Sequence, residues 1–262
     1  MNRKPNKGLI VAVVLVGLFL VAPTLIVMVM SFSSGSTLKF PPEGLSIRWY
    51  ESFIDSSQWT RSVWMSAKIA VSTVILGTGL GTLAALGFVR GRYLGRGIVT
   101  TIIVSPMVVP AIVIAVGMYM VYVRWGMQGT MWGMVAAHTS LAIPYVIVNV
   151  AASLQNFDRN LELAAQNLGA GPIRTFFRVT LPLIMPGVAA GALFAFMTSW
   201  DEVIVSSFLA SPQVRTLPVV MWDAVRTLVD PTMAALATML TVLTVVLLIG
   251  ATVVRKVGMR KR

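Results

Sequence analysis

Six long stretches with almost no charged residue set the terms for anything this chain can fold into. They run over about 9–32, 62–89, 98–123, 131–153, 183–208 and 231–254, interrupted by Lys68 in the second and by Asp201 and Glu202 in the fifth. A helix rising 1.5 Å per residue needs about 20 apolar residues to cross ~30 Å of hydrocarbon, and each window meets that length. Inside hydrocarbon every backbone N–H and C=O must be satisfied internally, which leaves helices as the spanning element for windows of this kind. The chain is 56% hydrophobic and 11% charged, against roughly 25% charged for a soluble domain, and this excludes an ordinary soluble enzyme. The expectation is an all-α integral membrane protein, one transmembrane domain over residues 1–262 with six transmembrane helices. The first window is too long for a signal-peptide core and lacks a small-x-small cleavage site, so it is read as retained.

The net charge of +12 follows from topology rather than from a nucleic-acid partner. With both termini in the cytoplasm, fourteen of the twenty-one Lys and Arg fall on the cytoplasmic side, six on the other, and Lys68 within a span. That asymmetry is what the positive-inside rule demands. No nucleic-acid interface is needed to explain it. The chain has no cysteine and one histidine, so disulfides, thiolate metal sites and thiol nucleophiles are excluded and no metal site is expected.

Several motifs narrow the chemistry further. GLGTLA (Gly79 to Ala84) has the form G-x-G-x-x-A, but it lies inside an apolar span rather than between a strand and a helix, so packing explains it better than a dinucleotide. Gly77-xxx-Gly81 and Gly187-xxx-Gly191 are spaced to let helix backbones approach closely. No G-x-x-x-x-G-K-[ST] loop is present, so any ATP dependence has to come from a partner. Nucleophile-elbow and H-E-x-x-H motifs are absent too, and no catalytic residue is assigned. Pro106 and Pro110 are expected to kink the third span. Residues 33–61, with a Pro-Pro pair and amphipathic aromatics, are too polar to span and are expected along the outer membrane face.

The loop between the fourth and fifth windows, about 154–182, carries the most information. Asp158 can cap a helix start. Leu161, Ala164, Ala165 and Leu168 then follow at i, i+3, i+4, i+7, an apolar stripe on a helix too short to cross a bilayer. Gly169 to Pro172 stops that helix, and Ile173, Phe176 and Phe177 begin a second stripe flanked by Arg174 and Arg178. The stripes can pack on the protein's own helix ends or headgroups, or they can dock into a cytoplasmic partner.

ELAAQNLGAGPIRTFFRVTLP (Glu162 to Pro182) resembles the EAA loop of binding-protein-dependent ABC importer permeases, in which E-A-A is followed by three residues, Gly, nine residues and I-x-L-P. Ala164, Ala165, Gly169, Leu181 and Pro182 match in type and spacing. Leu163 stands where the motif has Glu, with Glu162 one position earlier, and Val179 replaces Ile. FPPEGLSIRWYESF, AHTSLAIPYVI, SWDEVIVSSFL, TLPVVMWDAVR and DPTMAALAT extend the resemblance to the spermidine/putrescine-type permeases. It implies the type I ABC importer permease fold in a bacterial cytoplasmic membrane and no enzyme activity of the chain's own. It also implies a second permease subunit, a cytoplasmic ATPase dimer that holds ATP and magnesium, and an external solute-binding protein. Glu162 and the five matching residues are then the ATPase-coupling positions.

Charged groups deep in a span cost about 2.5–3.5 kcal/mol on insertion scales, so Asp201 and Glu202 require a reason. One reason is an ion pair with Lys68, or snorkelling toward the outer interface. The other is a cation-selective passage in which Asp201 and Glu202 act with Trp200 and Ser199, joined by Trp222 and Asp223 from the last outer loop, since carboxylates and aromatic faces attract ammonium groups. On a continuous fifth helix Thr198, Ser199, Glu202 and Ser206 would share one polar face. His138 in the fourth span is a further pathway candidate, or a hydrogen-bonded packing residue. A stand-alone secondary carrier would show internal repeats and midplane charges, and a membrane enzyme a nucleophile with its base. Neither explains the loop.

Overall fold

A computed structural model of the protein describes residues 7–91, 94–227, 231–242 and 244–245. In chain order its helices are α1 (Lys7–Met30), α2 (Arg48–Asp55), α3 (Ser57–Arg90), α4 (Arg96–Val104), α5 (Ala111–Arg124), α6 (Met131–Gln155), α7 (Asn160–Asn167), α8 (Pro172–Thr175), α9 (Leu181–Trp200), α10 (Ile204–Leu209) and α11 (Leu217–Thr227). A short apolar helix, α12, follows at Thr232–Val242. Among the described residues no strand forms, and the only bridge outside helices pairs Ser33 with Leu45. Four helices are long and apolar enough to cross a membrane: α1, α3, α6 and the continuous run Pro172–Trp200.

The third window is not one kinked helix. It is α4, a 3₁₀ turn at Ser105–Met107 and α5, with a bend of 102° at the break. Pro106 and Pro110 explain it. Each removes an N–H from the i→i−4 ladder, and at four residues' spacing the two losses end one helix and start the next instead of bending a single one. The fifth window is also shorter than its apolar composition suggests, because α9 ends at Trp200 and Asp201 to Val203 lie outside helix before α10 begins. Of the sixth window, residues 243 and 246–254 lie outside the described residues, as does the last basic cluster used to orient the chain.

The chain divides into two compact units, residues 1–60 with 221–262, and residues 61–220. In the first, α1 buries none of its side chains, with Pro23 inside it. Residues 31–50 fold back on themselves: the Trp49 indole donates to the Ser33 carbonyl at 2.8 Å, Ser31 Oγ and the Tyr50 hydroxyl lie 2.6 Å apart, and the Phe32 and Tyr50 rings sit 5.2 Å apart.

The second unit is built around α6 and α9. His138 meets Ser199 near one end of the pair, Gly191 lies under Val146, and Gly187 packs on Asn149 and Ser153 toward the other, so the two helices run antiparallel. α3 lies parallel to α6, with Gly77 beside Ala142 and Gly81 beside Val146. Both glycine pairs are thus packing surfaces. A Cβ built on Gly81 would stand 2.6 Å from Val146 Cβ and one on Gly191 3.0 Å from Val146 Cα, so Val146 is wedged between two helices that only glycine lets close. Gly79, two residues from Gly81, has nothing within 4 Å. One apolar cluster around Val146, Val150, Ile184 and Phe88 fills the half of the unit toward the 154–182 loop, and a second around Ile69, Met134, Val205 and Leu209 fills the half toward α10.

Candidate functional site

The loop at 154–182 turns its apolar residues outward. Asp158 Oδ1 accepts from the Asn160 amide at 2.9 Å and opens α7. Gly169 closes it at φ +84°, with its own N–H on the Gln166 carbonyl at 2.9 Å and the Ala170 N–H on the Ala165 carbonyl at 3.0 Å. This is a Schellman C-cap, which needs a left-handed residue at that position; a side chain there meets backbone strain although nothing lies within 4 Å. The motif glycine is therefore explained by backbone conformation, not by crowding. Beyond it, α8 runs into a π turn at Phe176–Thr180 and then into α9. Pro182 cannot donate the i→i−4 bond to the Arg178 carbonyl, and the widened turn takes up the mismatch just ahead of it.

Leu161, Leu163, Leu168, Ile173 and Phe177 are all exposed, Leu168 at 89%. Ala164 is exposed and Ala165 half-buried. The stripe read from the sequence exists, and among the described residues no helix end covers it. Gly171, Pro172, Ile173, Arg174, Phe177 and Arg178 line an open groove beside it. One residue of α7 turns the other way: Glu162 is 6% exposed. Its Oε1 accepts from Arg90 Nη2 at 2.5 Å and from the Thr180 hydroxyl. Leu181 is half-buried and Pro182 exposed at the start of α9.

At the far end of α9 the proposed polar face does not form, since the helix stops at Trp200. Asp201 is exposed, and no ion pair joins it or Glu202 to Lys68 among the described residues. Glu202 is half-buried and serves the fold locally, its Oε1 accepting from the Val205 N–H at 2.7 Å and so capping α10. Ser199 and Ser206 both turn to His138, fully buried, whose Nδ1 and Nε2 lie 2.8 and 2.9 Å from the two hydroxyls. Trp200 stacks on Phe196 at 5.5 Å. The start of α6 is fixed to the same region. Thr130 Oγ1 caps the helix by accepting from the Gly133 N–H at 3.0 Å, and the Gly129 N–H donates to the Leu209 carbonyl at the end of α10, also at 3.0 Å.

Trp222 and Asp223 lie on the part of α11 that belongs to the first unit. There the Arg226 guanidinium sits 4.9 Å from the Trp222 ring centre. His138, Ser199, Trp200, Asp201 and Glu202 are thus neighbours in one unit. Sequence reasoning missed Arg90 and Thr180. A basic residue ending a long helix is ordinary, since the negative end of the helix dipole favours it, and no local pattern links Arg90 to a glutamate 72 positions later.

The profile of the family described as "Binding-protein-dependent transport system inner membrane component" matches residues 77–257. Putrescine transport system permease protein PotI of Escherichia coli (strain K12) is 34% identical over 229 residues, covering 85% of this chain and 81% of that protein. Spermidine/putrescine transport system permease protein PotC of the same strain is 32% identical over 238 residues, covering 91% and 90%. Among solved structures, a chain of a bacterial ABC transporter involved in the import of the acidic polysaccharide alginate superposes with a TM-score of 0.70 at 18% identity, over 97% of this chain and 99% of that one. An all-helical chain with several apolar helices of spanning length, a family match over most of its length and two relatives that are both permeases lead to one conclusion: the protein belongs to the binding-protein-dependent transport system inner membrane components, and is a multi-pass permease subunit of an ABC importer.

Proposed function

We propose that the chain forms half of the import pathway for a polyamine or a related small amine. The observation that carries this reading is the identity of 34% and 32% with two polyamine permeases over 85% and 91% of the chain. The chemistry of the α9–α10 corner is of the same sign. Asp201 offers an exposed carboxylate with no side-chain partner among the described residues, and it follows Trp200, whose ring stacks on Phe196; carboxylates and aromatic faces both attract ammonium groups. Glu202 holds the corner by capping α10, and His138 holds it through two serines.

A second permease subunit completes the pathway, and lipid covers the remaining apolar faces. An external solute-binding protein delivers the cargo, and a cytoplasmic ATPase dimer supplies ATP and magnesium. On this reading the chain crosses the membrane six times, with both termini and the 154–182 loop in the cytoplasm. The exposed leucines, Ile173 and Phe177, edged by Arg174 and Arg178, dock into an apolar groove with an acidic rim on the ATPase. Closure of the dimer on ATP draws the loop with it and swings the permease between outward-open and inward-open states.

The test is ATP hydrolysis by the complex reconstituted in lipid with its binding protein, with putrescine and spermidine as probes and Asp201→Asn as the variant. Hydrolysis that rises with either amine, with uptake lost in Asp201→Asn, is the expected result. A complex that assembles and hydrolyses ATP but responds to neither amine overturns the cargo and leaves the importer. The alginate transporter, with an acidic cargo on the same fold, makes that arm necessary.

A further inference from the structure

Glu162 sits inside the one segment expected to meet the ATPase, yet it faces away from it. Its neighbours Leu161 and Leu163 are 45% and 50% exposed, whereas Glu162 is 6% exposed. One carboxylate oxygen receives two donors from elements far apart in the chain: Arg90 Nη2, on the last residue of α3, and the Thr180 hydroxyl, at the junction of the π turn and α9. Thr180 is fully buried, and the Arg90 side chain keeps 30% of its exposure. A partner seated on Leu161 and Leu163 touches the opposite side of the helix and does not reach this oxygen.

From this geometry we infer that Glu162 is a positioning residue that locks the coupling loop to α3 and α9, so that displacement of the loop moves both helices as one body. The inference rests on the coupling role proposed above for the loop, and it assigns Glu162 to the inside of the permease rather than to the ATPase contact.

Three features support a mechanical role. First, the bracket joins three elements at a single atom, so α7 cannot shift against α3 without separating a buried carboxylate from its cation, which is costly in a low-dielectric setting. Second, it closes over a π turn. The regular i→i−4 ladder is interrupted there, and an unbraced helix would yield at that place instead of transmitting force. Third, among the described residues the loop's other side-chain hydrogen bonds are local, from Asn156 to the Ala152 carbonyl on the last turn of α6, from the Asn160 amide to Asp158 and from Thr175 to the Ala170 carbonyl, while Phe157 adds apolar packing against the core but no ionic tie. The α7 tie therefore decides whether motion is passed on or lost.

The experiment measures solute imported per ATP hydrolysed in proteoliposomes holding the whole complex, with ATPase co-purification recorded alongside. In Glu162→Gln, which keeps an acceptor for Thr180 and loses the ion pair, the ratio is expected to fall about tenfold while the ATPase still co-purifies; Glu162→Asp restores part of the ratio. An unchanged ratio in Glu162→Gln overturns the inference. So does loss of ATPase binding in a folded permease, since Glu162 would then be a docking contact. Should Glu162→Gln fail to assemble, a second variant decides. The chain has no native cysteine, so Arg90→Cys with Glu162→Cys can be bridged by a cleavable thiol cross-linker. The bridged complex is expected to couple and the cleaved complex to hydrolyse ATP without import. Import blocked by the bridge, and recovered on cleavage, shows a contact that must open and overturns the locked body. If the native chain itself captures no ATPase, it is the coupling role of the loop that fails, which separates the two results.

Discussion

The two ends of α9 solve the same problem in opposite ways. Near its C-terminus a histidine and two serines are buried without a formal charge, and each ring nitrogen of His138 has a hydroxyl within 2.9 Å. Just ahead of its N-terminus the buried group is a carboxylate, held by a guanidinium and a threonine. The difference follows position in the bundle. His138 is fully buried among helices with two hydroxyls as its partners, where a net charge would have no compensation. Arg90 ends its helix, keeps part of its side chain in contact with the outside, and brings a cation only to the mouth of the packed region. A neutral knot can be sealed; an ionic one needs an open edge. The comparison teaches that a neutral, sealed knot suits a fixed shape, whereas an ionic knot with an open edge suits the coupling role proposed for the loop.

The largest effect that would break this comparison is expected at Arg90. Arg90→Met leaves the Glu162 carboxylate buried with the Thr180 hydroxyl alone, and removal of one member of a mostly buried pair costs about 3 kcal/mol. Thermal unfolding of the detergent-solubilised permease should show the loss. The double variant Arg90→Met with Glu162→Met should recover most of it, because an apolar pair needs no compensation. A double variant no better than the single one would mean that the bracket's stability resides in Thr180 and not in the ion pair.

At the sealed end the expected effect is smaller. His138→Leu keeps the volume roughly but strips both serines of their partner, at a cost of about 2 kcal/mol. Serine can redirect its hydroxyl to the carbonyl one turn earlier, which limits the loss. Adding Ser199→Ala and Ser206→Ala to His138→Leu should bring stability back toward that of the native chain, as replacing all partners of a buried hydrogen bond usually does. If the triple variant remains as unstable as His138→Leu, the knot acts through shape rather than through its hydrogen bonds.

Much of this architecture is written in local pattern, and what is not has a physical cause. The windows 9–32 and 131–153 declare α1 and α6 through length and apolarity alone. Gly81 and Gly191 announce close packing by spacing, but Gly79 carries the same residue type and touches nothing; which glycine faces a neighbour depends on helix register, which spacing does not state. Pro106 and Pro110 signal a disturbance, while the 102° bend reflects two lost bonds acting together. Asp201 and Glu202 are legible as costly, yet reading residues 183–208 as one helix put Glu202 on a face with Ser206, whereas the chain breaks there and Glu202 caps the next helix. The loop's motif is visible from Glu162 to Pro182 because its spacing is local. The partner that turns Glu162 inward is 72 residues away and leaves no trace in any window.

The smallest effect on stability tests the two acids that the sequence joins and the fold separates. Glu202→Ala removes the acceptor that caps α10, a loss of about 1 kcal/mol, and it should lower the unfolding temperature slightly and import in step with it, because the corner that presents Asp201 loosens. Asp201→Asn removes a charge from an exposed side chain with no bond to the other described residues, so its effect on stability should stay within about 0.5 kcal/mol. Its effect on amine import should nevertheless be the larger of the two, since it takes away the one free carboxylate of the corner. Measuring unfolding and uptake on both variants separates a group that holds the corner from one proposed to face the cargo. The assignment fails if Asp201→Asn imports normally and Glu202→Ala, corrected for its stability, does not; the cap would then be the cargo contact, and α10 would have to unwind for each molecule that passes.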